Sequence, residues 1–300
     1  MVSDMKGETK SIERFSTNIP PFPKAAQKVI SMFRDPRIQI GKVAEVVALD
    51  QGFTARVLRM ANSAYFGLPR RVHSITEALV LLGWANVRMV LISASVGNIL
   101  CRGLRAYGLE EGALWEHSVG SAYAAQILSS QHTVATYDMA FTCGLLHDIG
   151  KAAIDLTLTK QETQRLHDLL RTKDTIAAEK EVTGFSHSEV GAYLTTRWNL
   201  PEEIRTGIEF HHDPTACRQD RRSVMHSIIA GADICVKVLF EEMRDITKSD
   251  IEQGTGGTLA PQPDLIKRLN SDLPPLVSAS KELMQGITEV VPVGSYEDEK

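Results

Sequence analysis

The sequence predicts an all-α fold, and three observations carry that prediction. Apolar residues recur at three- and four-residue spacing through most of the chain, which places them on one face of a helix. The segments Ser74–Glu77 and Ser186–Glu189 both read Ser-x-x-Glu, the pattern of a helix capping box. No stretch shows the alternation of apolar and polar residues, bounded by turn residues, that is typical of a strand.

The first half of the chain is predicted to be helical behind an extended entry. Residues 1–18 are predicted to form a flexible leader, and the prolines within residues 20–23 favour extended backbone. Asp35-Pro36 and Gly83 are stop signals for the helices that precede them. The predicted helices run over Phe22–Phe33, Val43–Leu49, Thr54–Ala61, Ser74–Leu82 and Ala85–Leu100.

The second half is predicted to be helical up to a linker that follows residue 251. Gly254–Gly257 and Pro261–Pro263 indicate this linker, because both segments favour turns. The amphipathic segments Asp264–Leu269 and Ser278–Ile287 are predicted to pack back as short helices. The remaining predicted helices run over Leu114–Leu128, Tyr137–Ile154, Gln161–Arg171, Thr175–Val182, Ser186–Trp198, a helix that starts at Pro201 and carries His211 and His212, and Val224–Phe240.

These boundaries divide the chain into four predicted parts. Residues 1–18 are the flexible leader, and residues 19–110 form an N-terminal helical subdomain. Residues 111–250 form a second helical subdomain, which carries the candidate site. Residues 251–300 are the linker and a C-terminal helical tail.

Composition argues against two classes of partner. The formal net charge of -4 is unlike that of a nucleic-acid binder, which usually carries a basic stripe. The densest basic cluster, Arg218, Arg221 and Arg222, is interrupted by Asp220 and is interpreted as a solvated surface. No apolar run reaches the ~18 residues that a membrane-spanning helix needs. We therefore expect neither a nucleic-acid nor a membrane partner.

The cysteines point to a reducing compartment. Four are present, Cys101, Cys143, Cys217 and Cys235, and their spacing fits neither a zinc ribbon nor a disulfide framework. We interpret them as free thiols, most of them buried. The N-terminus lacks the apolar core of a signal peptide, so a cytoplasmic location is expected.

A set of His and Asp residues in the second half carries the candidate chemistry. Imidazole nitrogen and carboxylate oxygen are ligands that suit Fe, Mn and Zn ions. A single His on an apolar helix is more often a core residue than a ligand. Asp148 and Asp233 are flanked by apolar residues, where metal coordination, hydrogen bonds or an ion pair would each offset the cost of burial. The set comprises His117, His147, Asp148, His187, His211, His212 and Asp233.

The segment His147–Lys151 resembles the signature of the HD superfamily of metal-dependent phosphohydrolases. His117 upstream and Asp233 downstream match the superfamily's order of ligands. The resemblance implies that His117, His147, Asp148 and Asp233 hold one ion. His187 and the pair His211-His212 resemble the additional ligands of two-metal members, so they would complete a second site in which Asp148 bridges.

The same resemblance implies a cofactor and catalytic candidates. The cofactor would be a divalent metal, Fe, Mn, Zn or Ni, with up to two ions. Two ions a few Å apart would clamp a phosphate and lower the pKa of a bound water. Lys151 lies one helical turn past His147, where it would meet a phosphate oxygen. Lys151 and Asp148 are therefore the catalytic candidates.

The first half sharpens the resemblance. Leu58–Phe66, Ser74–Gly83 and Trp198–Pro201 resemble the HDOD domain, the HD-related output domain. The resemblance covers residues 19–240. It implies an N-terminal helical subdomain packed on an HD-type helical subdomain, in a regulatory module that acts on signalling proteins of other chains.

Two departures bear on activity. In the cyclic di-GMP phosphodiesterase branch, a Glu and a Gly-Tyr-Pro loop follow the His pair, whereas Asp213–Ala216 follows it here. Ala113 stands where that branch has a metal-binding Glu. The sequence therefore argues against cyclic di-GMP hydrolysis. Two functions stay open: a signal-transduction module, and an active metal-dependent phosphohydrolase on a nucleotide or phosphoester, which needs an open coordination position and a cleft.

Overall fold

The computed structural model describes residues 12–32, 35, 37–132, 134–215 and 224–288. These residues form fourteen α-helices and no strand, which confirms the all-α prediction. The predictions on residues 1–11, Phe33, Pro36, Cys217 and the basic cluster around Asp220 lie outside the described residues. The helices are α1 (Lys24–Met32), α2 (Ile40–Ala48), α3 (Gln51–Ala61), α4 (Ile75–Leu100), α5 (Ala113–Ser129), α6 (Val134–Leu146), α7 (Ile149–Asp155), α8 (Lys160–Leu169), α9 (Thr175–Thr183), α10 (His187–Arg197), α11 (Glu202–Glu209), α12 (Met225–Val236), α13 (Lys248–Gly254) and α14 (Pro263–Thr288).

Two of the local signals act as expected. Gly83 has φ +69° and ψ 165°, so α4 is interrupted at the predicted stop. Ser186 and Glu189 form the full capping box at the start of α10. At the other predicted box, the Ser74 side chain accepts from the Glu77 amide, whereas the Glu77 carboxylate pairs with Arg70.

Three predicted helix boundaries are wrong. The helix over residues 137–154 is broken, because Asp148 has φ −100° and ψ 8° and turns the chain between α6 and α7. Asp50, not Thr54, caps α3 by accepting from the Phe53 amide. The helix predicted to reach Phe240 ends at Val236 and continues as a π-helical turn, Lys237–Glu241.

The C-terminal tail differs most from the prediction. The two short helices are one long helix, α14, although Pro274 and Pro275 lie inside it. Prolines cost helix hydrogen bonds, but the buried side chains of Leu269, Leu273 and Leu283 hold α14 against the core. The helix packs on α3, α4 and α5, so it contacts both predicted subdomains. The indole of Trp115 on α5 also donates to the Ser280 carbonyl at 2.9 Å.

One continuous core joins the two halves. Its buried members include residues of α1 to α4 as well as of α5 to α14. The segment between α4 and α5 carries a short 3-10 helix, Arg105–Tyr107. Cys101, Cys143 and Cys235 are buried free thiols, as expected. Within the described residues, no helix is both long and apolar enough to span a bilayer.

Because α14 belongs to the core, shortening one of its buried side chains should lower the stability of the protein. Leu273 is fully buried, so Leu273→Ala is expected to lower the free energy of unfolding by about 2–5 kcal/mol. Urea denaturation followed by circular dichroism measures this loss. Leu49, which is 81% exposed, provides the matched control, and Leu49→Ala should change stability by less than about 0.5 kcal/mol. Equal effects of the two variants would contradict the packing of α14.

Candidate metal site

Five segments of the second half bring the predicted site residues together. His117 lies in the second turn of α5, and Asp233 lies near the end of α12. His147 and Asp148 occupy the break between α6 and α7, where the backbone turns at Asp148. His187 is the first residue of α10. His211 and His212 follow directly after α11 rather than lying on it.

The first group of side chains is termed the HD cluster and comprises His117, His147, Asp148 and Asp233. His117 Nε2 lies 3.3 Å from His147 Nε2 and 3.1 Å from Asp233 Oδ1. Asp148 Oδ2 lies 3.5 Å from His117 Nε2 and 3.4 Å from His147 Nε2. These donor atoms face one small space, and three of them fall within 4.8 Å of one another.

The second group, termed the histidine cluster, comprises His187, His211 and His212. His187 Nε2 lies 3.4 Å from His211 Nε2 and 3.0 Å from His212 Nε2. The cluster adjoins the HD cluster through Asp148, whose Oδ1 lies 3.1 Å from His187 Nε2. His212 therefore lies with the other members of the predicted set.

Asp148 stands between the two clusters with one oxygen toward each. Its Oδ1 is buried and accepts no well-formed hydrogen bond among the described residues, although His187 Nε2 lies 3.1 Å away. A buried carboxylate oxygen that accepts no well-formed hydrogen bond is costly, and a cation between the clusters would remove that cost. The donor set, imidazole nitrogens with carboxylate oxygens, also suits Fe, Mn, Zn or Ni. The residues present therefore fit a divalent metal.

Hydrogen bonds fix the orientation of three imidazoles. The Nδ1 of His147 donates to the Gly144 carbonyl at 2.7 Å, and the Nδ1 of His211 donates to the Ile208 carbonyl at 2.6 Å. Because a carbonyl only accepts, Nδ1 carries a proton in both rings, and Nε2 is the nitrogen that faces the site. The Nδ1 of His187 meets the Glu179 carboxylate at 2.8 Å. This arrangement is typical of histidines that bind metal through Nε2.

Two lysines pair with the site carboxylates. Lys151 Nζ lies 2.6 Å from Asp148 Oδ2, and Lys237 Nζ lies 2.6 Å from Asp233 Oδ2. Lys151, predicted to meet a phosphate oxygen, has a carboxylate partner here. Sequence reasoning missed Lys237, although its spacing of four residues from Asp233 on a helix is a recognisable ion-pair signal.

The charges of these neighbours shift the titration of both carboxyls. Burial raises the pKa of Asp148, but the charges of His147 and Lys151 outweigh it and hold the pKa well below its usual range. Burial likewise raises the pKa of Asp233, but the hydrogen bond with His117 and the nearby Lys237 outweigh it and hold the pKa well below its usual range. Both carboxylates are therefore ionised at neutral pH, as metal ligands must be.

The imidazoles titrate in opposite directions. Burial, together with repulsion from His212 and His147, lowers the pKa of His211 well below its ordinary value. Burial also lowers the pKa of His187, but the adjacent Glu179 carboxylate outweighs it and raises the pKa. His211 is thus a neutral donor at pH 7, whereas a cation at the histidine cluster would displace a proton from His187.

These shifts predict that the metal-free protein loses stability in mild acid. Below pH ~6.5, His211 is protonated in the unfolded state but stays neutral in the folded state. The free energy of unfolding therefore decreases as the pH is lowered. Asp148 and Asp233 add to this loss at lower pH, as protons return to them. The raised pKa of His187 contributes stability that is complete below ~6.5 and declines as the pH rises through the folded pKa, so this residue opposes the trend. The lowered pKa values of His211 and His212 outweigh it. Urea midpoints of chelator-treated protein should be lower at pH 5 than at pH 7, and an unchanged or higher midpoint at pH 5 would contradict the account.

The fold and the clustered histidines and aspartates define an HD-like helical protein. The HDOD domain model matches residues 19–214, nearly two thirds of the chain. The chain therefore belongs to the HDOD family, which confirms the resemblance found in its motifs.

Similar proteins support the fold. The chain is 26% identical over 236 residues to an uncharacterized protein of Treponema pallidum (strain Nichols), and it spans 43% of that relative's length against 74% of its own. An HDOD domain protein of unknown function from Geobacter sulfurreducens superposes with a TM-score of 0.72 at 25% identity, over 93% of this chain and 99% of that one. A Shewanella amazonensis SB2B protein, provisionally named a phosphohydrolase, gives 0.69 at 22% identity, over 92% of this chain and 98% of that one.

Proposed function

We propose that this HDOD protein is a signal-transduction module that binds divalent metal at the HD and histidine clusters and acts through protein partners. One observation carries the proposal. The donor atoms of both clusters lie around Asp148, whose buried Oδ1 is 3.1 Å from His187 Nε2 but accepts no well-formed hydrogen bond among the described residues. A helical core without a ligand role would not be expected to gather this many imidazoles and carboxylates.

The chain's own residues divide the work of holding metal. The HD cluster offers two imidazoles and two carboxylates, and the histidine cluster offers three imidazoles, with Asp148 shared between them. Bound ions would supply Lewis-acid stabilisation of negative charge. Lys151 and Lys237 would keep their positive charge beside the site, which suits an anionic group there.

The signalling role rests on the family. HDOD domains resemble regulatory modules, and this chain carries the family's segments in both halves. We propose that the protein acts on partners on other chains and that Fe, Mn, Zn or Ni occupies the site. Helix α14, predicted as two short helices that pack back, is one helix whose buried leucines belong to the core.

A second function is favoured by the exposed rim of the site. His212 is exposed, and the side chains of His117 and Lys237 are 17% and 36% exposed. A phosphoester or nucleotide would have to reach the two clusters from this rim. An active phosphohydrolase would use Asp148 as a shared metal ligand and Lys151 to hold a phosphate oxygen.

A single comparison separates the two functions. Metal-loaded wild type and Lys151→Ala are incubated with a chromogenic phosphodiester and a panel of nucleotides, while metal content is measured in parallel. If the protein is a signalling module, the wild type should bind metal stoichiometrically and hydrolyse the substrates no faster than the free metal ion does. Metal-dependent hydrolysis that Lys151→Ala abolishes, with metal content retained, would overturn the module in favour of the enzyme.

A further inference from the structure

Glu179 is a fully buried carboxylate that lies beside the site without belonging to either cluster. It is on α9, eight residues before His187, and neither its spacing nor a motif marks it in the sequence. Its carboxylate accepts from His187 Nδ1 at 2.8 Å and from the His187 backbone amide at 2.7 Å. Glu179 therefore holds His187 by two hydrogen bonds, one to its ring and one to its main chain.

A third donor joins Glu179 to another part of the fold. The Tyr107 hydroxyl donates to Glu179 Oε1 at 2.8 Å. Tyr107 lies in the segment Leu104–Leu109, termed the connector, which runs between α4 and α5. The connector is closed by hydrogen bonds between the backbones of Leu104 and Leu109, at 2.8 and 3.1 Å.

The connector has a second attachment to the site. The Ala106 amide donates to Asp155 Oδ1 at 2.7 Å. Asp155 ends α7, the helix that begins directly after Asp148. Two carboxylates close to the site, Glu179 on α9 and Asp155 on α7, thus accept hydrogen bonds from adjacent residues of the connector.

From these contacts we infer that Glu179 is a positioning residue: it fixes His187 with Nε2 toward the site and, through Tyr107, ties that ring to the connector between the two halves of the chain. The inference rests on the proposed metal binding and deepens it. If a bound ion displaced the His187 ring, the Glu179 carboxylate would transmit that movement to Tyr107, because it bonds to both residues. A carboxylate behind a metal-binding imidazole also strengthens it as a ligand.

The decisive variant is Glu179→Gln, whose amide has one acceptor oxygen where three donors converge. Zn²⁺ affinity, measured by competition with a chromogenic chelator, is expected to fall about 10–100-fold. Glu181→Gln is the matched control, because Glu181 lies on the same helix and its carboxylate faces Lys173 and Arg165 on the surface. The control should bind Zn²⁺ as the wild type does. Wild-type affinity in folded Glu179→Gln would overturn the inference and leave Glu179 a structural residue.

Tyr107→Phe tests the connector separately. The variant keeps both bonds from Glu179 to His187, so Zn²⁺ affinity should stay within about threefold of the wild type. Hydrogen–deuterium exchange of residues 104–109 should slow when the wild type binds Zn²⁺, and this response should be lost in Tyr107→Phe. Equal exchange with and without bound Zn²⁺ in the wild type would overturn the link to the connector.

A metal-free readout separates this inference from the proposed function. In nitrogen-15 spectra of the apo protein, the His187 Nδ1 proton should be protected from solvent exchange in the wild type and in Glu181→Gln, and exposed in Glu179→Gln. An Nδ1 proton that exchanges freely in the wild type overturns the inference, and it does so even if Glu179→Gln fails to fold. A wild type that binds no metal would overturn the proposed function, while this signal would still decide the role of Glu179.

Discussion

Gly150→Ala is expected to lower the free energy of unfolding by about 3 kcal/mol or more. A Cβ atom at Gly150 would lie 1.9 Å from the His187 carbonyl oxygen and 2.9 Å from the Gly191 amide nitrogen. Both are backbone atoms at the start of α10, so no side-chain rotation relieves the overlap. The helices α7 and α10 would have to separate, and this would also move Asp148 away from His187.

Gly41→Ala is the matched control for this variant. Gly41 also lies in a helix, α2, and a Cβ there would meet no atom within 4 Å. Alanine has the higher helix propensity, so Gly41→Ala should be neutral or stabilise by up to about 1 kcal/mol. Chemical denaturation and Zn²⁺ binding are measured on both variants. Gly150→Ala with wild-type stability and affinity would contradict the close contact of α7 with α10.

Asp148→Ala is expected to abolish binding at both clusters, because Asp148 is the residue they share. Its two oxygens lie 3.4 Å from His147 Nε2 and 3.1 Å from His187 Nε2. Isothermal titration with Zn²⁺ should show two classes of site in the wild type and none in the variant. Asp168→Ala, at an exposed carboxylate on α8, should keep both.

The same substitution leaves Lys151 without its carboxylate. An ammonium that loses its partner in a largely buried setting is costly, by about 3–5 kcal/mol for a fully buried pair. The double variant Asp148→Ala with Lys151→Met removes that charge and should recover part of the stability without recovering metal. Zn²⁺ binding at one cluster in the folded double variant would show that Asp148 does not join the two.

The structure brings the predicted site residues close together, whereas it corrects several predictions about the helices around them. His147 and Asp148 were found because adjacent ligands of an HD signature are a local pattern. The break in the helix that carries them was not found, because apolar periodicity continues from α6 into α7 and only the bridge-region backbone of Asp148 ends it. The prediction of one helix over residues 137–154 was therefore wrong, whereas the roles of His147 and Asp148 stay a prediction.

Residues that depend on tertiary contacts were missed. Glu179 and Tyr107 are 72 residues apart in the chain and meet only because α9 packs beside the connector. No local pattern separates Glu179 from a surface glutamate on the same helix, such as Glu181. The joining of the tail into α14 was missed for a related reason: Pro274 and Pro275 indicate an interruption, and only packing against the core overrides them.

The metal content of the purified protein is the most direct test of the central claim. Wild-type protein, reconstituted with Fe, Mn, Zn or Ni and freed of excess ion, would be analysed by plasma mass spectrometry beside Asp148→Ala. The account predicts one to two ions per chain in the wild type and none in the variant. A wild type that stays metal-free after reconstitution would contradict it, and hydrogen bonds and ion pairs within the protein would then account for the clustered histidines and aspartates.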